Sequence, residues 1–165
     1  MKRELYKTNE IQFPDGYGMG EDMTMIKVLA FADKVSYLPI ALYHYIRLNE
    51  DAFTQNTTKQ HLKQIQYNVN DIVSFLNNRY EKEDTEKYIQ FFKLNTKLPF
   101  LISNDTESYK RWLEWYPEAN AYIDLNPMFS TRTKFIQKAA MKHQFWILKL
   151  YYNLVIRFIY GVIYK

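Results

Sequence analysis

From residue 57 onward the apolar positions recur three and four apart. Leu62, Ile65, Val69, Ile72, Val73, Leu76 and Tyr80 fall on one face of a long helix. A charged break, Glu81-Lys-Glu-Asp84, precedes a second helical pattern that includes Tyr88, Phe91, Phe92 and Leu98, and Pro99 ends or bends it. The run Ser103-Asn-Asp-Thr106 supplies capping residues for a third helix, with Tyr109, Trp112, Leu113 and Tyr116 on one side. Pro117 and Pro127 bracket an irregular stretch. Before residue 57 the pattern differs. Residues 1–6 read as a charged helix remnant, and residues 21–33 predict a helix that buries Met23, Ile26, Leu29 and Ala30. Residues 35–38 read as a short strand stopped at Pro39, and residues 41–47 as a second strand rich in aromatic side chains.

The end of the chain predicts an amphipathic helix. Lys134, Lys138, Lys142, Lys149, Asn153 and Arg157 project onto one side at 100° per residue. Phe135, Ile136, Ile147, Leu148, Tyr151, Val155, Phe158, Ile159 and Val162 occupy much of the rest. Charge sharpens this reading. Of the 22 Lys and Arg residues, seven lie between Arg132 and Lys165, where there is no acid; the first 131 residues carry 15 basic and 18 acidic groups. A mildly acidic body with a strongly basic tail points to an anionic surface as the partner of the tail alone. A membrane-spanning helix would have to bury Lys149 and Arg157, each at about 2.5–3.5 kcal/mol near the bilayer centre. A helix lying on an anionic leaflet leaves both in the headgroup layer, where Tyr, Trp and Phe also settle. Packing of the tail on its own protein is the competing reading. Nucleic acid is not expected as a partner, because no recognition motif accompanies the basic residues.

Composition excludes several classes. With no cysteine the chain has no disulfide scaffold, thiolate zinc site, iron–sulfur cluster or cysteine nucleophile. His44, His61 and His143 are too far apart in sequence to pair at metal-ligand spacing. The three glycines Gly16, Gly18 and Gly20 fall within five residues and shape a loop that opens into the helix from Glu21. Adjacent carboxylates, Glu21 and Asp22, then face the positive end of the helix dipole, which favours their ionised form. Such a pair at the lip of a glycine loop suits acceptance of a proton from a substrate hydroxyl, and it equally suits ordinary helix capping.

Ile11-Gln-Phe-Pro-Asp-Gly16, Gly20-Glu-Asp22, the helix with Val28-Leu-Ala30 and Ala32, then Val35 and Leu42-Tyr-His-Tyr-Ile-Arg47, follow one another in a telling order. Over residues 1–54 this resembles the C-terminal part of the catalytic domain of family-2 glycosyltransferases of the GT-A fold, especially bacterial enzymes of surface-polysaccharide assembly. The resemblance implies that Asp22 is the base that deprotonates an acceptor hydroxyl as it attacks a nucleotide sugar with inversion. Glu21 would hold the acceptor or orient Asp22. Gly20, His44 and Arg47 would stand on the acceptor or diphosphate side, although an exposed strand-end arginine and a core-flanking histidine are equally ordinary. It also implies a divalent metal ion, Mn or Mg, in the intact parent, together with a nucleotide-sugar donor and a saccharide or lipid-linked acceptor. The family's nucleotide-binding half and its Asp-x-Asp motif do not occur in this sequence, so no cofactor and no independent activity are expected of the isolated chain.

The expected fold class is therefore α/β, or α+β as a fragment: two short strands of a GT-A domain followed by a mostly helical region. The expected divisions are residues 1–55 (acceptor side), 56–131 (helical region) and 132–165 (basic amphipathic tail helix). The expected location is cytoplasmic, peripheral at the inner face of the membrane. A non-enzymatic, membrane-peripheral helical interaction module, in which Glu21 and Asp22 only cap a helix, is the alternative.

Overall fold

A computed structural model describes residues 2–14, 20–41 and 59–163. The chain divides into two compact units, Met1–Tyr80 and Glu81–Lys165.

The first unit holds α1 (Arg3–Thr8), α2 (Glu21–Ala30) and α3 (Lys59–Arg79). Helix α2 packs along α3, and the two run in the same direction. Lys27 pairs with Asp71 at 2.5 Å, and Phe31 meets Phe75 at a ring separation of 5.9 Å. Arg79 lies 3.9 Å above the Phe31 ring, and its guanidinium donates to the Ala30 carbonyl at 3.2 Å. The Tyr80 hydroxyl donates to the same oxygen. A cation at the last carbonyls of α2 thus meets both unpaired acceptors and the negative end of the dipole. Met23, Val28, Val69 and Ile72 are buried, together with the polar Thr24, Gln64 and Asn68.

The second unit holds α4 (Lys82–Lys97), α5 (Thr106–Glu114), α6 (Thr131–Met141) and α7 (Phe145–Tyr151), with 3-10 turns at Leu98–Leu101 and Pro117–Tyr122. Asp105 caps α5 by accepting from the amides of Glu107 and Ser108, and Ser130 caps α6 by accepting from Thr133. The Ser108 hydroxyl and then those amides hold the Asp105 carboxyl below its usual range. Leu94, Leu101, Tyr109, Trp112, Ile123, Ile136, Ala140 and Leu148 form one core. Helix α7 continues without a break into a π-helical run, Tyr152–Ile163.

Lys97, the last residue of α4, is wholly buried in this unit. Its ammonium donates to the carbonyls of Trp115 (2.8 Å) and Tyr116 (3.2 Å) and to Asn120 Oδ1 (2.6 Å), and sits 4.2 Å from the centre of the Trp112 ring. Three N–H groups meet three oxygens, so the ammonium uses its full donor capacity. The two carbonyls come within reach because Tyr116 adopts the left-handed conformation (φ 47°), which turns the chain sharply from α5 into the 3-10 turn. That conformation is unfavourable by about 1–2 kcal/mol for a residue with a Cβ. Lys93 steadies the same corner: it lies 5.3 Å above the Tyr116 ring and pairs with Glu118 at 2.7 Å.

The expected fold class is corrected by these elements. Among the described residues there is no strand, and the architecture is helical rather than α/β. Residues 34–39 form no regular element, and among the described residues no second strand is present to accept ladder bonds from them. Val35, Tyr37 and Leu38 are consequently 66%, 88% and 58% exposed. The other expected strand, 41–47, lies outside the described residues from residue 42 on. Smaller corrections follow from packing. Helix α2 stops at Ala30, and Leu29 is exposed where burial was expected. Tyr88 is exposed, whereas Ile89 and Leu94 are buried. The stretch between Pro117 and Pro127 carries a 3-10 turn and buries Ala119, Ile123 and Asn126.

Replacing Lys97 with Met leaves buried acceptors without donors, each worth about 1–3 kcal/mol. Chemical unfolding followed through Trp112 and Trp115 is expected to show Lys97→Met destabilised by more than about 2 kcal/mol. The pH dependence has a definite sign. Burial lowers the Lys97 ammonium to about 8, against an opposing pull from Glu118. In the unfolded chain it titrates at 10.5, so between those values the unfolded state holds more protons. Wild-type stability relative to Lys97→Met should therefore rise with pH from about 8 to about 10.5. Tyr116, pushed up to about 12 by its burial, stays neutral through that window.

Candidate functional site

The expected catalytic corner is built from the approach to α2. After α1, Glu10 takes a left-handed conformation (φ 52°), and the amide of the buried Ile11 donates to the Tyr6 carbonyl at 2.9 Å. Phe13 stacks on Tyr6 with ring centres 6.5 Å apart. The chain then reaches Pro14, whose ring lies against Gly20. A Cβ added at Gly20 would stand 2.3 Å from Pro14 Cγ and 2.5 Å from Cδ. Gly20 has an ordinary helical φ of −91°, so close approach is what requires glycine there. The Pro14–Gly20 contact closes the base of the loop, while residues 15–19 lie outside the described residues.

Gly20 is the N-cap of α2 and has no side chain to cap it. Its carbonyl accepts from both the amide and the hydroxyl of Thr24, each at 2.9 Å, and Thr24 is buried. These bonds fix the first turn, in which Glu21 and Asp22 are the first two residues and Glu21 is exposed. The loop base therefore places Glu21 and Asp22 as the first two residues of α2. His44 and Arg47 lie outside the described residues.

Two hollows of this unit lie elsewhere. One of about 540 Å³ opens beside Leu5, Val28, Leu29, Ala32 and Val35, against the C-terminal half of α2 and away from Glu21. A more open hollow of about 650 Å³ is lined by Tyr6, Lys7, Glu10, Ile11 and Gln12. Among the described residues no three acidic or histidine side chains gather as metal ligands. The described residues thus do not form a site for the divalent ion that the glycosyltransferase resemblance implies, and no chemical step is derived through one.

The tail residues divide into two groups. Lys134 donates to the Asp124 carbonyl at 2.7 Å, and Lys138 pairs with the Asp124 carboxylate at 2.6 Å. Both are therefore tied to their own protein. Lys142, Lys149 and Arg157 are exposed, and their side chains have no hydrogen-bond or ion-pair partner among the described residues. Among the described residues no helix is long and apolar enough to cross a membrane. The inner side of the tail packs on the core through the buried Leu148, with Phe145, Ile147 and Tyr151 beside it. Lys97 and its oxygen cage were absent from the sequence reading. The available signal was position, since Lys97 shares the helical face of Leu94 and Leu101.

Comparison with protein-family models, curated proteins and solved structures finds no match for the chain.

Alanine at Gly20 tests the loop closure. Its Cβ forces Pro14 aside, so Gly20→Ala is expected to destabilise the first unit by about 1–3 kcal/mol. Hydrogen exchange should show lost protection at the Thr24 amide, with Trp112 and Trp115 fluorescence unchanged. An unaltered Thr24 amide would mean that the Pro14–Gly20 contact does not hold the turn.

Proposed function

We propose that this chain carries the acceptor-side part of a family-2 glycosyltransferase, acting on a saccharide or lipid-linked saccharide at a membrane surface. The observation that supports the reading best is the loop base: Pro14 packed on Gly20, and the Gly20 carbonyl holding Thr24, with Glu21 and Asp22 in the turn between. A base must stand within hydrogen-bond reach of the hydroxyl it deprotonates, and a backbone-fixed helix start is a firm mount for it. In this reading Asp22 takes the acceptor proton and Glu21 positions acceptor or base. His44 and Arg47 serve the acceptor or the departing diphosphate. The donor site, with its metal ion, belongs to a nucleotide-binding half that this sequence does not contain, and activity requires both.

The second reading, a non-enzymatic membrane-peripheral helical module, is favoured by a different observation. The Thr24 amide and hydroxyl both donate to the Gly20 carbonyl, so the first turn of α2 is closed without the two acids, which can serve simply as dipole partners.

Fusing a nucleotide-binding half that bears an Asp-x-Asp ahead of residue 1 separates the two. The fusion is expected to release nucleoside diphosphate from a nucleotide sugar when a saccharide acceptor is present. Asp22→Asn should lower that turnover by about 10²–10⁴-fold, the usual contribution of a general base. Full turnover in the Asp22→Asn fusion removes Asp22 from the chemistry, and a folded fusion without turnover favours the second reading.

A further inference from the structure

The outer face of the tail helix carries an apolar strip that its own protein leaves uncovered. Trp146, Leu150, Leu154 and Phe158 follow one another four residues apart and are 66%, 50%, 55% and 57% exposed. Their alignment depends on the change of helix type at Tyr152. A step of four residues overshoots a turn of α-helix by about 40°. In the wider π-helix, with bonds from i to i+5, the same step falls short of a turn, so the drift reverses. The four side chains therefore stay on one side along the whole run. Lys149, Asn153 and Arg157 repeat at the same spacing immediately beside them, all exposed.

We propose that this strip is a docking face for an anionic lipid bilayer, on which the helix lies in the plane of the headgroups. Charge complementarity selects the occupant. Lys149 and Arg157 border the strip, Lys142 is exposed ahead of it, and none of the three has an acidic partner among the described residues. No acid occurs after Asp124. A second copy of the same helix would set cation against cation with no carboxylate between them, whereas an anionic leaflet supplies the missing charge. Trp146 and Phe158 stand at the two ends of the strip, and aromatic rings favour the interface. Among the described residues no helix is long and apolar enough to cross a membrane. The apolar side chains would enter the acyl boundary by a few ångströms while the cations stay among the phosphates. The lysines that bind are then not those the sequence places first, because Lys134 and Lys138 are occupied by Asp124. The proposal is independent of whether the first unit takes part in sugar transfer.

The three tryptophans make the test direct. Trp112 and Trp115 are buried and Trp146 is exposed, so the change in emission on lipid binding reports on the strip. The whole chain is titrated with vesicles of phosphatidylcholine alone and with vesicles containing a third phosphatidylserine. Expected are co-sedimentation and a blue shift with the anionic vesicles, weakening as salt is raised, and little of either with the neutral ones. The double change Lys149→Gln and Arg157→Gln should weaken anionic binding about 30-fold, roughly five-fold for each cation lost. Leu150→Glu with Leu154→Glu should abolish it, and because both side chains are exposed the circular dichroism should not change. Lys134→Gln with Lys138→Gln should leave lipid affinity within about two-fold. Equal binding to neutral vesicles, or an unshifted Trp146, overturns the proposal. So does a concentration-dependent dimer that Leu150→Glu with Leu154→Glu dissolves, since a second copy would then be what covers the strip.

Discussion

The Lys97 ammonium is the constraint on which the second unit is organised. A cation taken out of water is costly unless every N–H finds an oxygen. The cage that satisfies it also dictates the path of the surrounding chain. Trp115 and Tyr116 must turn their carbonyls inward, so α5 ends where it does and Tyr116 takes a left-handed conformation that its side chain disfavours. Asn120 must face the same point, which sets the 3-10 turn that follows Pro117. Trp112 lies under the ammonium and is itself at the centre of the apolar core. One charged side chain at the end of α4 thereby ties the C-terminal end of α5 and the next turn together, a task that hydrophobic contact alone would perform without fixing direction. Its oxygens sit where a helix end is already electron-rich, so the cation also meets the dipole of α5.

The first unit uses the same device nearer the surface. Arg79 and Tyr80 close the last carbonyl of α2, with the Arg79 guanidinium stacked on Phe31. In both units a long polar side chain at the end of one helix finishes another. Helical periodicity cannot reveal such pairing, because it depends on which helices become neighbours.

That difference explains what the sequence showed and what it concealed. The long helices were readable because their apolar spacing persists over many residues, as in α3 from Leu62 to Leu76, and the cap of α5 was readable in Asp105. The helical faces were less reliable where aromatic residues are dense: Tyr88 fits the apolar pattern and is exposed, while Gln64 and Asn68 do not fit it and are buried. The strand at residues 35–38 was a sound local inference with the wrong outcome. β-Branched and aromatic side chains favour a strand, but the backbone there forms no regular element. A strand, however, is a relation between two segments, and the partner is missing among the described residues. Gly20 was legible as a loop glycine, and close contact with Pro14 is what requires glycine there, its φ being ordinary. The two acids beside it were legible as types. Their chemistry is not fixed by a helix start alone, since the same placement serves a general base and a dipole partner.

The tail shows why an amphipathic projection understates a helix that is packed on one side. A projection at 100° per residue sorts side chains into one apolar and one polar sector, and merges the face that meets the core with the face that does not. Leu148, Ile147 and Tyr151 belong to the first and are accounted for by burial, each worth about 1.5–3 kcal/mol when complete. Trp146, Leu150, Leu154 and Phe158 belong to the second, where the same apolar surface remains in water. A protein core explains only the inner face. The outer strip has cations along its edge and no carboxylates among the residues that follow Asp124, so a surface complementary to it would be apolar in the middle and negative at the margin. Those two properties occur together in the interfacial layer of an anionic bilayer, where an apolar boundary lies a few ångströms below a sheet of phosphates.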